Sequence, residues 1–150
     1  MRCTCGIESR EKCQSIQHAI IMKEVETIRN YSLHRLRVDA YCLQHPDIHL
    51  VSAKSFAAHL LGMCIAMEFN SAPALYQVIQ KWGYGKGDLE KPPMLSSFGD
   101  LTIEHLLDAH DADEYALRVR EYAASVWNAY EVYHGLARDW LQKAKATVFR

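Results

Sequence analysis

Residues 111–141, DADEYALRVREYAASVWNAYEVYHGLARDWL, decide the fold class. Tyr115, Val119, Tyr122, Val126, Ala129, Tyr133, Leu136 and Trp140 alternate spacings of four and three, the period of an α-helix. A second stripe, Ala123, Trp127, Tyr130, His134, Ala137 and Leu141, runs beside the first. Two adjacent apolar stripes predict one long helix that touches at least two neighbours, as a bundle helix does. Asp111, with Glu114 three positions on, is the cap expected at its start.

Working backwards, residues 70–101 carry Gly83, Gly85, Gly87 and the Pro92–Pro93 pair, and only 74–82 has helical character. The Gly-x-Gly-x-Gly run has no preceding strand and no Lys-Ser/Thr, so it is not a phosphate loop. Thr102 opens a short helix to about residue 110. Residues 54–69 are apolar on most faces, which places that helix in the middle of a bundle, with Ser52 or Ser55 as its cap. Pro46 ends a helix over roughly 33–45, for which Ser32 is the expected cap, and 8–30 reads as the first helix. Without repeats or a strand pattern, the chain reads as a single all-α domain over 1–150. It is an antiparallel helical bundle with a long irregular crossover around 70–110 and a loose segment at 1–7.

The chain has 150 residues, 17 Lys+Arg against 18 Asp+Glu, and a formal net charge of −1. That balance offers no footprint for nucleic acid or an anionic membrane surface, so the expected partner is a small molecule or a protein. A hydrophobic content of 49% excludes a disordered chain. No apolar run reaches the roughly 18–20 residues of a membrane span, and residues 1–6 form no signal-peptide core. A cytoplasmic location is the expectation. Five cysteines, an odd number, with Cys42 and Cys64 inside apolar helical patterns, argue against a disulfide scaffold.

Eight histidines are many for this length. The short connection after Pro46 makes the helices on either side antiparallel neighbours, so Asp39, His45 and His59 are expected near one end of that hairpin. His134 joins them from an inward stripe of the last helix. Three imidazoles suit one divalent ion, Zn²⁺ first, and leave a coordination position open for water, with Asp39 either a further ligand or the partner that orients a ligand histidine. Metal-activated water would make the protein a hydrolase or group transferase. His34 stands in reserve near Glu68, with Tyr41 and Tyr130 as polar support. Separately, Cys3-x-Cys5-Gly6 with Cys13 resembles half of a zinc knuckle, for which His18 could supply a fourth ligand. The alternative to a metal protein is a non-enzymatic structural or interaction domain, in which Asp39, His45 and His59 form a buried hydrogen-bond network. No nucleophile elbow or redox cysteine motif is present, and Ser52 and Ser55 are explained by capping.

The stretch Val38-Asp39-Ala40-Tyr41-Cys42-Leu43-Gln44-His45-Pro46 resembles the VDAY-x-x-QHP box of an uncharacterised bacterial family. Members of that family often begin with Cys-x-x-Cys-Gly, where this chain has Cys3-Thr4-Cys5-Gly6. Ser52, Ser55, His59 and Leu60 match a later helix start, and Val126 to Tyr130 with His134 match the family's final helix. The architecture is also similar to DinB/YfiT-type metal-binding bundles, whose three His ligands sit on inward helix faces. Their late His-x-x-x-His pair aligns with His134 to Arg138, where Arg stands in place of the second His. This second resemblance implies thiol-dependent transfer or hydrolysis; the first implies no activity.

Overall fold

Seven α-helices carry the chain among residues 1–149, which a computed structural model describes apart from the Lys86 side chain. They are α1 (Arg10–Lys23), α2 (Tyr31–Gln44), α3 (Pro46–His49), α4 (Ala53–Glu68), α5 (Pro73–Trp82), α6 (Ala112–Ala129) and α7 (His134–Val148). No strand occurs among the described residues, and no helix there is long and apolar enough to cross a membrane. The expected all-α bundle is what forms.

Local chemistry sets the helix starts. Ser9, Asn30 and Asp111 each accept a hydrogen bond from a backbone N–H of the first turn, and Ser52 and Ser55 form a reciprocal capping box. The α2 cap is therefore Asn30, two residues before the expected Ser32, which lies inside the helix. Pro46 blocks continuation of α2 and opens the short α3 instead, since its missing N–H costs nothing in a first turn.

The predicted first helix is α1 followed by a π turn, Glu24–Ile28, that stops at Arg29 with φ 48°. The turn begins at Glu24, whose carboxylate is buried. It accepts hydrogen bonds from Arg37 (Nη2 at 2.7 Å), from the Tyr115 hydroxyl and from His34. Arg37 and Glu24 are 1% and 5% exposed, so removing either one strands a buried charge at a cost of about 3–5 kcal/mol.

Helices α2 and α4 form the centre. α2 lies between α4 and α6, while α7 packs on α5 and α4. Phe56, Leu60, Leu61, Met63, Cys64 and Ile65 of α4 are fully buried, as its apolar surface predicts. The single long final helix does not form. α6 ends at Ala129, a 3₁₀ turn follows, and α7 starts at His134. Tyr130, at the break, donates its hydroxyl hydrogen bond to the Leu43 carbonyl, and its ring packs against Phe56 and Phe98. The bend lets the two halves serve different neighbours, α2 for α6 and α4 with α5 for α7.

The crossover between α5 and α6 is held to α2 by one side chain. Gln44, fully buried, donates to the carbonyls of Phe98 (3.0 Å) and Leu101 (2.7 Å) and accepts from the Tyr122 hydroxyl (2.8 Å). The expected loose segment at 1–7 is packed instead. Cys3, Cys5 and Ile7 are buried, and the Thr4 hydroxyl donates to the Gln44 carbonyl.

Candidate metal centre

The N-terminal residues form a tight loop, closed by Cys3 N–H to the Ile7 carbonyl and Gly6 N–H to the Cys3 carbonyl. Gly6 has φ +103°, a conformation that L side chains rarely adopt. The loop sets Cys3 and Cys5 beside Cys13, in the first turns of α1. His45 is the residue at which α2 ends, placed there because Pro46 follows. One ligand atom from each of Cys3, Cys5, Cys13 and His45 lies within 4.8 Å of all the others. The four residues are 4%, 8%, 0% and 1% exposed.

Within the cluster, Cys13 Sγ is 3.8 Å from Cys5 Sγ and 3.3 Å from His45 Nε2. A tetrahedral zinc with sulfur at about 2.3 Å and nitrogen at about 2.0 Å separates its ligands by about 3.8 Å (S···S) and 3.5 Å (S···N). The observed pairs fall close to both edges. His45 Nδ1 donates to the Tyr41 carbonyl at 2.6 Å, which fixes the proton on that nitrogen and turns Nε2 toward the thiols. The Tyr41 ring stacks on His45 with centroids 4.0 Å apart, and its hydroxyl lies 3.3 Å from Cys13 Sγ. The contact with Cys5 draws the Cys13 thiol down, against the opposing effect of burial, with His45 and Tyr41 adding to it. The same contact, together with burial, pushes Cys5 up. Such a buried group of three sulfurs and one imidazole could hold a metal ion.

The structure separates the other expected ligands. His59 donates from Nδ1 to Asp39 Oδ1 at 2.9 Å. His134 stacks on Trp127 with centroids 3.8 Å apart and donates to its carbonyl. His34 meets Glu24 and Arg37, while Glu68 pairs with Arg138. Tyr130 is committed to Leu43, and His18 is exposed on α1. Among the described residues, the group able to share an ion therefore contains His45 but not His59, His134 or Asp39. The reason is angular. At about 100° per residue, Asp39 and His45 point roughly 120° apart around α2, so one faces α4 and the other α1. Likewise His18, five residues beyond Cys13, is turned roughly 140° away from it.

Both halves of the centre carry a sequence signal: Cys-x-Cys-Gly with Cys13, and the His-Pro at the end of α2. What the sequence does not show is that the two meet, across a separation of 32 residues. Asp39 and His59 are correctly paired by the hairpin geometry, but as an ion pair between α2 and α4 away from Cys3, Cys5 and Cys13. Burial pulls the His59 pKa down, yet the bonds to Asp39 and Cys42 outweigh it and hold the imidazole at about 9.

The chain matches a family of unknown function (DUF5946) over residues 1–131 and belongs to that family. No curated protein and no solved structure matches it.

Proposed function

We propose that this DUF5946 member is a zinc-binding helical-bundle protein whose ion is held by Cys3, Cys5, Cys13 and His45. The observation that carries this reading is the hydrogen bond from His45 Nδ1 to the Tyr41 carbonyl, which aims Nε2 at three buried sulfurs. Thiolates with one imidazole are a donor set that favours zinc over the hard oxygen-seeking cations. Four protein donors complete a tetrahedron, so the ion serves as a tie between the N-terminal loop, α1 and the end of α2. A water-activating role needs an open position and finds no support in a closed, buried set. When bound, zinc contributes folding free energy by joining segments that are remote in sequence.

The test is metal analysis of tag-free protein, purified and reloaded with Zn²⁺ under reducing conditions. One zinc per chain is expected, together with a rise in melting temperature that Cys13→Ser and His45→Ala lose and that His59→Ala and His134→Ala keep. Cobalt loading adds a thiolate-to-metal charge-transfer band. A stoichiometry near zero after loading, or an ion lost with His134 and retained without Cys13, overturns the proposal.

A further inference from the structure

A second place in the molecule is built like a site and shares no residue with the metal centre. Two adjoining cavities, about 380 Å³ and 280 Å³, open between α2, α4, α5 and the turns that flank α5. Tyr31, Arg35 and Tyr84 line both, which makes them one cleft. The larger is within the range of about 300–1,000 Å³ usual for small-molecule sites.

Arg35 is the only cation on its wall besides the histidines among the described residues, and it is held in place from two sides. Its guanidinium carbon lies 4.4 Å over the Tyr76 ring, and Nε is 3.7 Å from Asp39 Oδ2. That separation is too long for a hydrogen bond, and both atoms are buried without a partner. The head group is thus positioned rather than satisfied. Asp39 is 3% exposed and gives its other oxygen to His59, which lines the same cleft. With His59 protonated, Arg35 and His59 outweigh Asp39 by one positive charge.

The backbone around the cleft is strained at two of its walls. Tyr84 has φ 53° and Ser71 φ 55°, and both line the larger cavity. A left-handed conformation in a tyrosine is uncommon and costs on the order of 1–3 kcal/mol. The strain places a phenol at the point where the two cavities join. Tyr31 and Tyr76 add two more aromatic faces, and Gln77 with Ser32 supplies neutral hydrogen-bonding groups.

We propose that this cleft binds a small organic carboxylate with a planar or aromatic body, its carboxylate on Arg35 and its body among Tyr31, Tyr76 and Tyr84. The single net charge matches a monoanion better than a phosphate dianion, and the planar guanidinium matches the planar carboxylate. The site stands whether or not the N-terminal cluster holds zinc.

Benzoate, its neutral counterpart benzamide, and phenyl phosphate are the probes, titrated at millimolar concentration into the ¹⁵N-labelled full chain. Benzoate is expected to shift amides in 31–35, 71–77 and 84, with benzamide shifting them at least about tenfold more weakly. Arg35→Gln loses benzoate by a similar factor, and Arg35→Lys, which keeps charge and fold, loses part of it. Tyr84→Gly removes the ring and is expected to weaken benzoate, while Tyr84→Phe, which keeps the ring packed on the core, is expected to retain it. The proposal is overturned if benzoate binds nowhere or elsewhere, if benzamide binds equally well, if Arg35→Gln binds as the wild type does, or if phenyl phosphate binds more tightly than benzoate.

Discussion

Replacing Gly62 by alanine tests how tightly the Asp39–His59 pair is built into the α2–α4 contact. A Cβ at position 62 would stand 2.2 Å from Asp39 Oδ2, 2.9 Å from its Cγ and 3.2 Å from Arg35 Nη2. Ordinary contact is about 3.4 Å or more, so the carboxylate has to move by more than an ångström. It is buried, and its other oxygen is held by His59. Displacing it loses a charge-assisted hydrogen bond, about 1.5–3 kcal/mol, and adds overpacking of about 1–3 kcal/mol. The better helix propensity of alanine returns about 1 kcal/mol. The expected net loss is about 3 kcal/mol, or a melting temperature lower by about 6–12 °C in a domain of this size. Urea and thermal unfolding of Gly62→Ala, Asp39→Ala and the double variant measure it. In the Asp39→Ala background the obstacle is gone, so Gly62→Ala becomes neutral or mildly stabilising. Equal costs in both backgrounds would refute the steric argument, as would a neutral single variant.

Two further outcomes follow from buried polar groups. His59 titrates near 9 in the folded chain, above the ordinary histidine value of about 6.5. Its contribution is fully present below about pH 6.5 and is lost as pH rises through about 9. The stability difference between wild type and His59→Gln, from urea melts at a series of pH values, should therefore shrink over that window; a constant difference contradicts the assignment. Gln44→Ala leaves the Tyr122 hydroxyl and the carbonyls of Phe98 and Leu101 without their partner. A loss of about 2–4 kcal/mol is expected, with faster hydrogen exchange across residues 98–103; unchanged exchange there would show that Gln44 does not hold the crossover.

Much of the fold is legible because it is encoded locally. Ser52 and Asp111 mark helix starts through bonds made within three residues, Pro46 does so by lacking an N–H, and α4 shows its central place by its apolar surface. The break at Tyr130 is not encoded that way. The aromatic stripes continue through it with unbroken period, and the bend comes from bonds to Leu43 on α2 and contacts with Phe56 and Phe98. The packed N-terminal segment is hidden for a similar reason, since Thr4 is anchored to Gln44, 40 residues away. In the candidate metal centre the donor types are visible, but grouping the histidines by helix face cannot say which neighbour each face meets. The hairpin logic places Asp39 with His59 and fails for His45, which turns toward α1. The carboxylate cleft has no sequence signature at all, because Arg35, Tyr76 and Tyr84 belong to different segments.

The four donors of the N-terminal cluster all fall within the first 45 residues. During synthesis they leave the ribosome ahead of α4 to α7. Joining Cys13 to His45 closes a loop of 32 residues, at an entropic cost of about 3 kcal/mol plus a constant. If that cost is met early by an ion, α2 is already oriented when its later neighbours emerge. α4 and α6 then dock onto a fixed template, each forming contacts over a shorter remaining search. Because the donors precede α4 in the sequence, an ion held by them would clamp in time as much as in space: it would favour an order of assembly in which the central helix is set first.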